Sequence, residues 1–249
     1  MQQLFLIGGG WEESSFKRTF GRFVRAGSNN GRCKILLILA MEDVDARDEI
    51  AELFSSMFAD VEDLRTETET LFPAEESDLT AGVLSSIEPS CIFVGGGLTP
   101  RYQELLCSSR EFIDFIVDRR LPYGGFSAGS AIAANRAIVG GWRARHRGKD
   151  TPILDPDFSE DLDFIEVRRG LGFLDYPIDV HGSQWGTLTR VIHAVDQGLI
   201  ENGLVIDEAT MVEQSGSKLR VFGNGQAYLV NRVNAKIEVS IFRDGDVVP

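Results

Sequence analysis

Gly124-Gly125-Phe126-Ser127-Ala128-Gly129-Ser130 is the segment of this chain best suited to covalent chemistry. It contains Gly-x-Ser-x-Gly after a strand-like run and before an alanine-rich, helix-like one, the context of a nucleophile elbow. Glycines on both sides let the chain turn sharply without side-chain collisions, and a following helix would aim N–H groups at charge forming near the serine oxygen. A serine hydroxyl is a weak nucleophile and needs a base. The histidines are His146, His181 and His193. His146 lies in a basic loop, where neighbouring cations disfavour a base, and His193 falls on an expected helix from Thr187 to Val195. His181 follows the short strand Pro177–Val180, and strand ends are where α/β enzymes place their sites; it is the best candidate base. An orienting carboxylate could come from Asp207 or Glu208, at the end of the apolar run Leu204–Ile206, or from Asp179, which shares a strand face with His181. Strand alternation puts Asp207 and Glu208 on opposite faces, so at most one of them faces His181. Gly95-Gly96-Gly97 after Val94 fits neither phosphate-binding fingerprint and better suits a backbone N–H approaching an oxyanion.

These residues need a scaffold that brings strand ends together. Leu4–Ile7, Lys34–Ala40 and Cys91–Val94 are near-continuous apolar runs, as in strands covered on both faces. Amphipathic patterns at Ser14–Ala26, Asp45–Phe58 and Ser77–Ile87 alternate with them, and Thr99-Pro100 reads as a helix start. A further strand is expected near Pro122–Phe126 and a helix from about Ala128. Strand–helix alternation argues for a doubly wound α/β fold: a three-layer αβα sandwich with a mostly parallel sheet, in one domain over 1–249. The last forty or so residues change to short alternating runs broken by glycine, read as a C-terminal antiparallel extension at one edge. Arg143–Lys149 is basic and Asp155–Asp163 acidic, so 143–163 reads as a charged insertion: a solvated loop, or a surface segment that shapes a cleft or a subunit contact.

Length and composition are those of an ordinary globular chain: 249 residues, 43% apolar and 25% charged. The net charge of −13 (25 basic against 38 acidic residues) argues against nucleic acid as a partner. No apolar stretch reaches the length of a membrane span. Cys33, Cys91 and Cys107 have no metal-ligand or CxxC spacing and read as free thiols of a reducing compartment. With an N-terminal run that lacks the features of a signal peptide, they lead to the expectation of a cytoplasmic protein. A homodimer stays open.

The motifs taken together resemble peptidase family S51, the serine peptidases that include dipeptidase E and cyanophycinase, over most of the chain. The resemblance rests on four ordered blocks. They are Ile92–Gly97 followed by a helix, Gly125–Gly129, Gly170–Leu174 leading to Asp179-Val180-His181, and Ile206–Thr210. It implies a fold similar to class I glutamine amidotransferases, with Ser127 as nucleophile, His181 as base and Glu208 as third member. It further implies an oxyanion hole from the N–H groups of Gly97 and Ala128, and neither metal nor organic cofactor. The substrate pocket departs from the family pattern. Of the arginine run that follows the histidine in cyanophycinase-like chains only Arg190 remains, Trp185 and Thr187 stand at two other positions, and Leu98-Thr99 follows the glycines. Arg190, Asp179, Trp185 and Thr99 are therefore the candidate substrate contacts. An apolar wall with one cation suits a short peptide bearing one carboxylate. The expected function is a serine hydrolase of small peptides or related amides. An esterase on the same triad, or a non-catalytic binding protein on the same scaffold, are the alternatives.

Overall fold

The computed structural model describes residues 3–41, 43–146 and 148–249. Its central sheet begins with β1 (Leu4–Ile7), β2 (Arg32–Ile38), β3 (Arg65–Leu71), β4 (Cys91–Val94) and β5 (Tyr123–Phe126). These strands are parallel and lie in the order β1-β5-β4-β2-β3. Alternation along each strand divides its side chains between two cores. Phe5, Ile7, Cys91 and Phe93 face one side, and Leu4, Leu6, Ile92 and Val94 the other.

The first side is covered by α1 (Glu13–Phe16), α2 (Phe20–Gly27) and α3 (Val44–Ala59), whose Phe20, Phe23, Phe54 and Phe58 pack edge-on and tilted around Phe93. The second is covered by α4 (Ala81–Ile87), α5 (Thr99–Leu106), α6 (Arg110–Arg119) and the single turn α7 (Ala128–Ala131). Two of the expected helices are broken. Ser14–Ala26 is interrupted where Thr19 Oγ1 donates back to the Ser15 carbonyl. Ser77–Ile87 is interrupted at Thr80, whose hydroxyl caps α4 by accepting from the Val83 N–H. The alanines after Ser127 mark burial rather than a long helix, since every residue from 128 to 134 is buried and the helix ends after one turn.

Past α7 come β6 (Arg136–Gly140), β7 (Arg143–His146), β8 (Lys149–Pro152), β9 (Glu166–Arg169) and β10 (Ile178–Val180). Then follow α8 (Gly182–Trp185), α9 (Leu188–Asp196) and β11 (Asn202–Ile206). The chain closes with β12 (Thr210–Ser215), β13 (Lys218–Gly223), β14 (Ala227–Val233), β15 (Lys236–Phe242) and β16 (Val247–Val248). The expected C-terminal edge extension divides in two. β12, β13 and β16 continue the central sheet antiparallel beside β1, giving it eight strands, whereas β14 and β15 join β10 and β11 in a second sheet of four. The chain changes sheets at 207–209, again after β13 and a third time between β15 and β16. At the first two crossings Ala209 and Gly223 have φ of 53° and 121°, and a Cβ on Gly223 would collide with the Ala209 carbonyl. Leu204, Ile206 and Leu229 of the second sheet join the core on the α5–α7 side of the central sheet, while Val205, Tyr228 and Val230 pack against α9. Among the described residues, no helix is long and apolar enough to cross a membrane.

Candidate active site

Three neighbouring parallel strands end at one place. Gly8 follows β1, Ser127 follows β5 and Gly95 follows β4. The Ser127 N–H donates to the Ile7 carbonyl at 3.0 Å and the Gly129 N–H to the Gly95 carbonyl at 3.1 Å, which ties the elbow to both neighbours. Ser127 has φ 52° and ψ −113°, a costly conformation for a residue with a Cβ. The turn closes only because its flanking glycines lack side chains: a Cβ on Gly125 would lie 2.6 Å from the Gly129 backbone, and one on Gly129 would strike the Val94 carbonyl.

His181 arrives from β10 in the second sheet rather than from the central sheet. Its N–H donates to the Gly8 carbonyl at 3.1 Å, and the Ala209 N–H donates to the Gly9 carbonyl at 2.8 Å. The glycines after β1 thus join the histidine and carboxylate segments to the serine strand. A side chain there has no space. A Cβ on Gly9 (φ 114°) would collide with the His181 ring, and one on Gly10 would lie 2.7 Å from Glu208 Cβ. In the sequence Gly8–Gly10 reads only as the end of a strand. A run of three glycines at the sheet's carboxyl edge, repeated at Gly95–Gly97, was the available signal that backbone must approach functional side chains closely.

Ser127 Oγ lies 2.9 Å from His181 Nε2, and His181 Nδ1 lies 2.7 Å from Glu208 Oε1. An ionised carboxylate can only accept, so Nδ1 carries the proton and neutral Nε2 is left to accept from the serine hydroxyl. Burial pushes the His181 pKa below its ordinary value, and the Glu208 carboxylate opposes that shift. Trp185 lies flat on the imidazole, with ring centroids 3.7 Å apart, and Phe158 stacks on Trp185 at 4.9 Å. Asp207 turns away from the imidazole and accepts from the Ser183 and Gln226 N–H groups and the Tyr228 hydroxyl. The other histidines are elsewhere: His146 is exposed beside Asp196, and His193 sits on α9.

The serine and histidine open into a cleft of about 690 Å³, of a size usual for small-molecule sites. Trp11, Met41, Ile50, Phe54, Leu98, Phe126, Phe158 and Trp185 supply its apolar lining, and Gly96 and Gly97 reach its surface. The remaining wall is the 156–161 stretch of the charged segment. Within that segment β7 and β8 pair antiparallel, and Asp163 Oδ1 accepts from the Trp142 indole N–H.

Three expected substrate contacts are not on the cleft. Arg190 is only 3% exposed; its Nε and Nη2 donate to Asp179 at 2.7 and 2.9 Å, and Nη1 donates to the carbonyls of Gly141 and Phe158. Asp179 is buried in the same pair, one strand face below His181. Thr99 is buried at the start of α5, and its N–H donates to Glu160 Oε2 at 2.8 Å. The cleft therefore has no cation at Arg190, since that charge is matched inside the fold. Thr187, expected beside Trp185 in the pocket, is buried with its hydroxyl donating to the Val180 carbonyl. Of the expected contacts only Trp185 lines the cleft. Among the described residues no three His, Cys, Asp or Glu side chains are grouped as metal ligands.

No family model and no curated protein matches the sequence. Among solved structures, the chain is similar over its whole length to a peptidase from an acI-B1 Actinobacterium. The TM-score is 0.74 at 16% identity, with 96% of that chain covered. It is also similar to a protein described as a putative peptidase E from Listeria monocytogenes EGD-e. There the TM-score is 0.55 at 16% identity, over 90% of this chain and all of that one. This chain has a peptidase E-like fold. At that level of identity the likeness is one of architecture. Within that peptidase E-like architecture the hydrogen-bonded Ser127, His181 and Glu208 stand where the carboxyl ends of β1, β4 and β5 meet the second sheet.

Proposed function

We propose that the protein is a serine-type peptidase or amidase acting on small substrates through Ser127, His181 and Glu208. The observation that carries this reading is the continuous hydrogen-bonded line from Ser127 Oγ through both ring nitrogens of His181 to Glu208 Oε1. It is joined to a strained nucleophile turn and opens on a cleft. In the reaction Ser127 Oγ bonds to the carbonyl carbon as its proton passes to His181 Nε2. The C–N bond then breaks, and the leaving amine takes that proton. Water adds to the acyl-enzyme by the same route in reverse, returning the serine and releasing the acid. Glu208 holds the imidazole in the tautomer that accepts from serine and stabilises its charged form.

The N–H groups of Gly97 and Ala128 are suited to the oxyanion. Each follows a strand end beside Ser127, and neither donates to a carbonyl among the described residues. Two such donors, fixed before the reaction, would stabilise the tetrahedral intermediate by about 3–4 kcal/mol each.

A panel of aminoacyl anilides with matched esters tests the reading. Amide turnover is expected in the wild type, with a loss of about a thousandfold or more in Ser127→Ala and an unchanged circular dichroism spectrum. Ester turnover alone would favour an acyl hydrolase, and amide turnover that survives in Ser127→Ala would overturn the assignment.

A further inference from the structure

The charge of the cleft points to the substrate class, on the footing that the site is the hydrolytic one proposed above. Its lining includes Asp157, Glu160 and Asp161, and among the described residues no Lys or Arg lines it. None of the three carboxylates is in a side-chain ion pair among those residues. The buried Arg190 donates from Nε and Nη2 to Asp179, and its charge also attracts Glu160, so Asp157 and Asp161 are the acids of the cleft that carry its negative field.

The loop that carries them is held from several directions. Phe158 stacks on Trp185, its carbonyl accepts from Arg190, and the Ser159 carbonyl accepts from the Gly141 N–H. Glu160 Oε2 accepts from the Thr99 N–H, which fixes that carboxylate at the wall of the cleft. The same cleft is lined by apolar surfaces, including Trp11, which is 41% exposed and stacked on Phe126. Carboxylates and aromatic rings lining one cavity attract an organic cation both directly and through the ring face. The same field repels a carboxylate, which would also leave water for a site with no positive partner.

We propose that the cleft selects substrates that carry a positive charge, an ammonium or guanidinium group, beside an apolar group, and discriminates against those that carry a carboxylate within it. This replaces the acidic peptide expected from Arg190. The cation could be the free amino terminus of the scissile residue or a basic side chain; the recognising chemistry is shared.

Aminoalkyl diphenyl phosphonates test the proposal at the serine itself, whatever the natural substrate. The serine attacks phosphorus and a phenol leaves. Probes built on lysine, leucine and aspartate, each with a free and an acetylated amino group, are compared by their rate of labelling Ser127. The expected result is labelling at least tenfold faster by the cationic probes than by acetyl-aspartyl phosphonate. That ratio should shrink severalfold in Asp157→Asn/Asp161→Asn and with rising salt. A fall in rate on acetylation assigns the charge to the amino terminus, and a fall from lysine to acetyl-leucine that acetylation of lysine does not reproduce assigns it to the side chain. Equal rates across the charge series, or faster labelling by the aspartyl probe, would overturn the charge proposal while leaving the nucleophile in place. Absence of labelling by every probe would overturn the serine hydrolase reading and this proposal with it.

Discussion

In the proposed mechanism His181 acts as a neutral ring, and its burial favours that form. The charged form is disfavoured by desolvation more than the Glu208 carboxylate restores it, so the pKa falls below the ordinary 6.5. Activity that needs unprotonated Nε2 should therefore persist below that pH and fall only as pH drops through the depressed value. A kcat/KM profile with its acid limb at or above 6.5 would contradict the buried-base geometry. In Glu208→Gln the carboxylate that raises the pKa is gone, so the limb should move lower still. The rate should drop by about one to two orders of magnitude less than in His181→Ala. The same shift affects stability, because the unfolded chain takes up the proton more readily than the folded one. The contribution of neutral His181 is complete above the unfolded value and is lost as pH falls through that value towards the folded one. Ser127 and His181 were legible as candidates in the sequence because each follows a strand and carries a residue type the chemistry requires, whereas Glu208 was singled out only by the family resemblance. The carboxylate was ambiguous until geometry turned Asp207 towards the Ser183 and Gln226 amides and Glu208 towards the imidazole. Arg190 was misplaced for a similar reason: its partner, Asp179, is eleven positions away across a strand and a helix, and no local spacing reports that pairing.

At the level of elements, the glycine turn after β1 fixes where the base can stand. Gly9→Ala would place a methyl group against the His181 ring in a backbone conformation that alanine resists. The protein should stay folded but lose activity, with KM changed less than kcat, because the ring is displaced rather than the cleft filled; wild-type kcat in Gly9→Ala would sink this role. The buried Arg190–Asp179 pair joins β10 and α9 to the carbonyls of Gly141 and Phe158. Arg190→Met should cost about 3–5 kcal/mol by leaving a buried carboxylate unmatched, whereas Asp179→Leu/Arg190→Met should recover much of that loss. Denaturant melts of the single and double variants measure this, and additive losses would argue against a coupled pair. The five parallel strands of the central sheet show how much of the framework the chain declares. β1, β2 and β4 were visible as apolar runs, and β5, Tyr-Gly-Gly-Phe, was expected near Pro122–Phe126 from the continuing strand–helix alternation. β3 was not, because Arg-Thr-Glu-Thr-Glu-Thr-Leu is an edge strand held by pairing to β2, and edges carry charge. The second sheet was hidden because strand patterns do not reveal which sheet a strand joins; that choice is made at the Ala209 and Gly223 corners.

Across the whole molecule, the site exists only because two sheets meet. The central sheet brings Ser127 and the glycine turns, and the second sheet brings His181, with Glu208 at the crossing between them. The overall charge of −13 has the same sign as the cleft, so long-range attraction should draw cationic substrates in and weaken as salt screens it over about 8–10 Å. For an amine-bearing substrate kcat/KM should fall between low and physiological ionic strength, while a neutral ester should show little change; an equal response of both would argue against steering by the fold's charge. The most direct measurement on the central claim is the intact mass of the protein after exposure to an uncharged fluorophosphonate, followed by peptide mapping. The wild type should gain one phosphonyl group, on Ser127, and His181→Ala should gain it at least a hundredfold more slowly. A wild type that stays unlabelled, or a label carried by any other residue, would contradict the assignment of Ser127 as a nucleophile activated by His181.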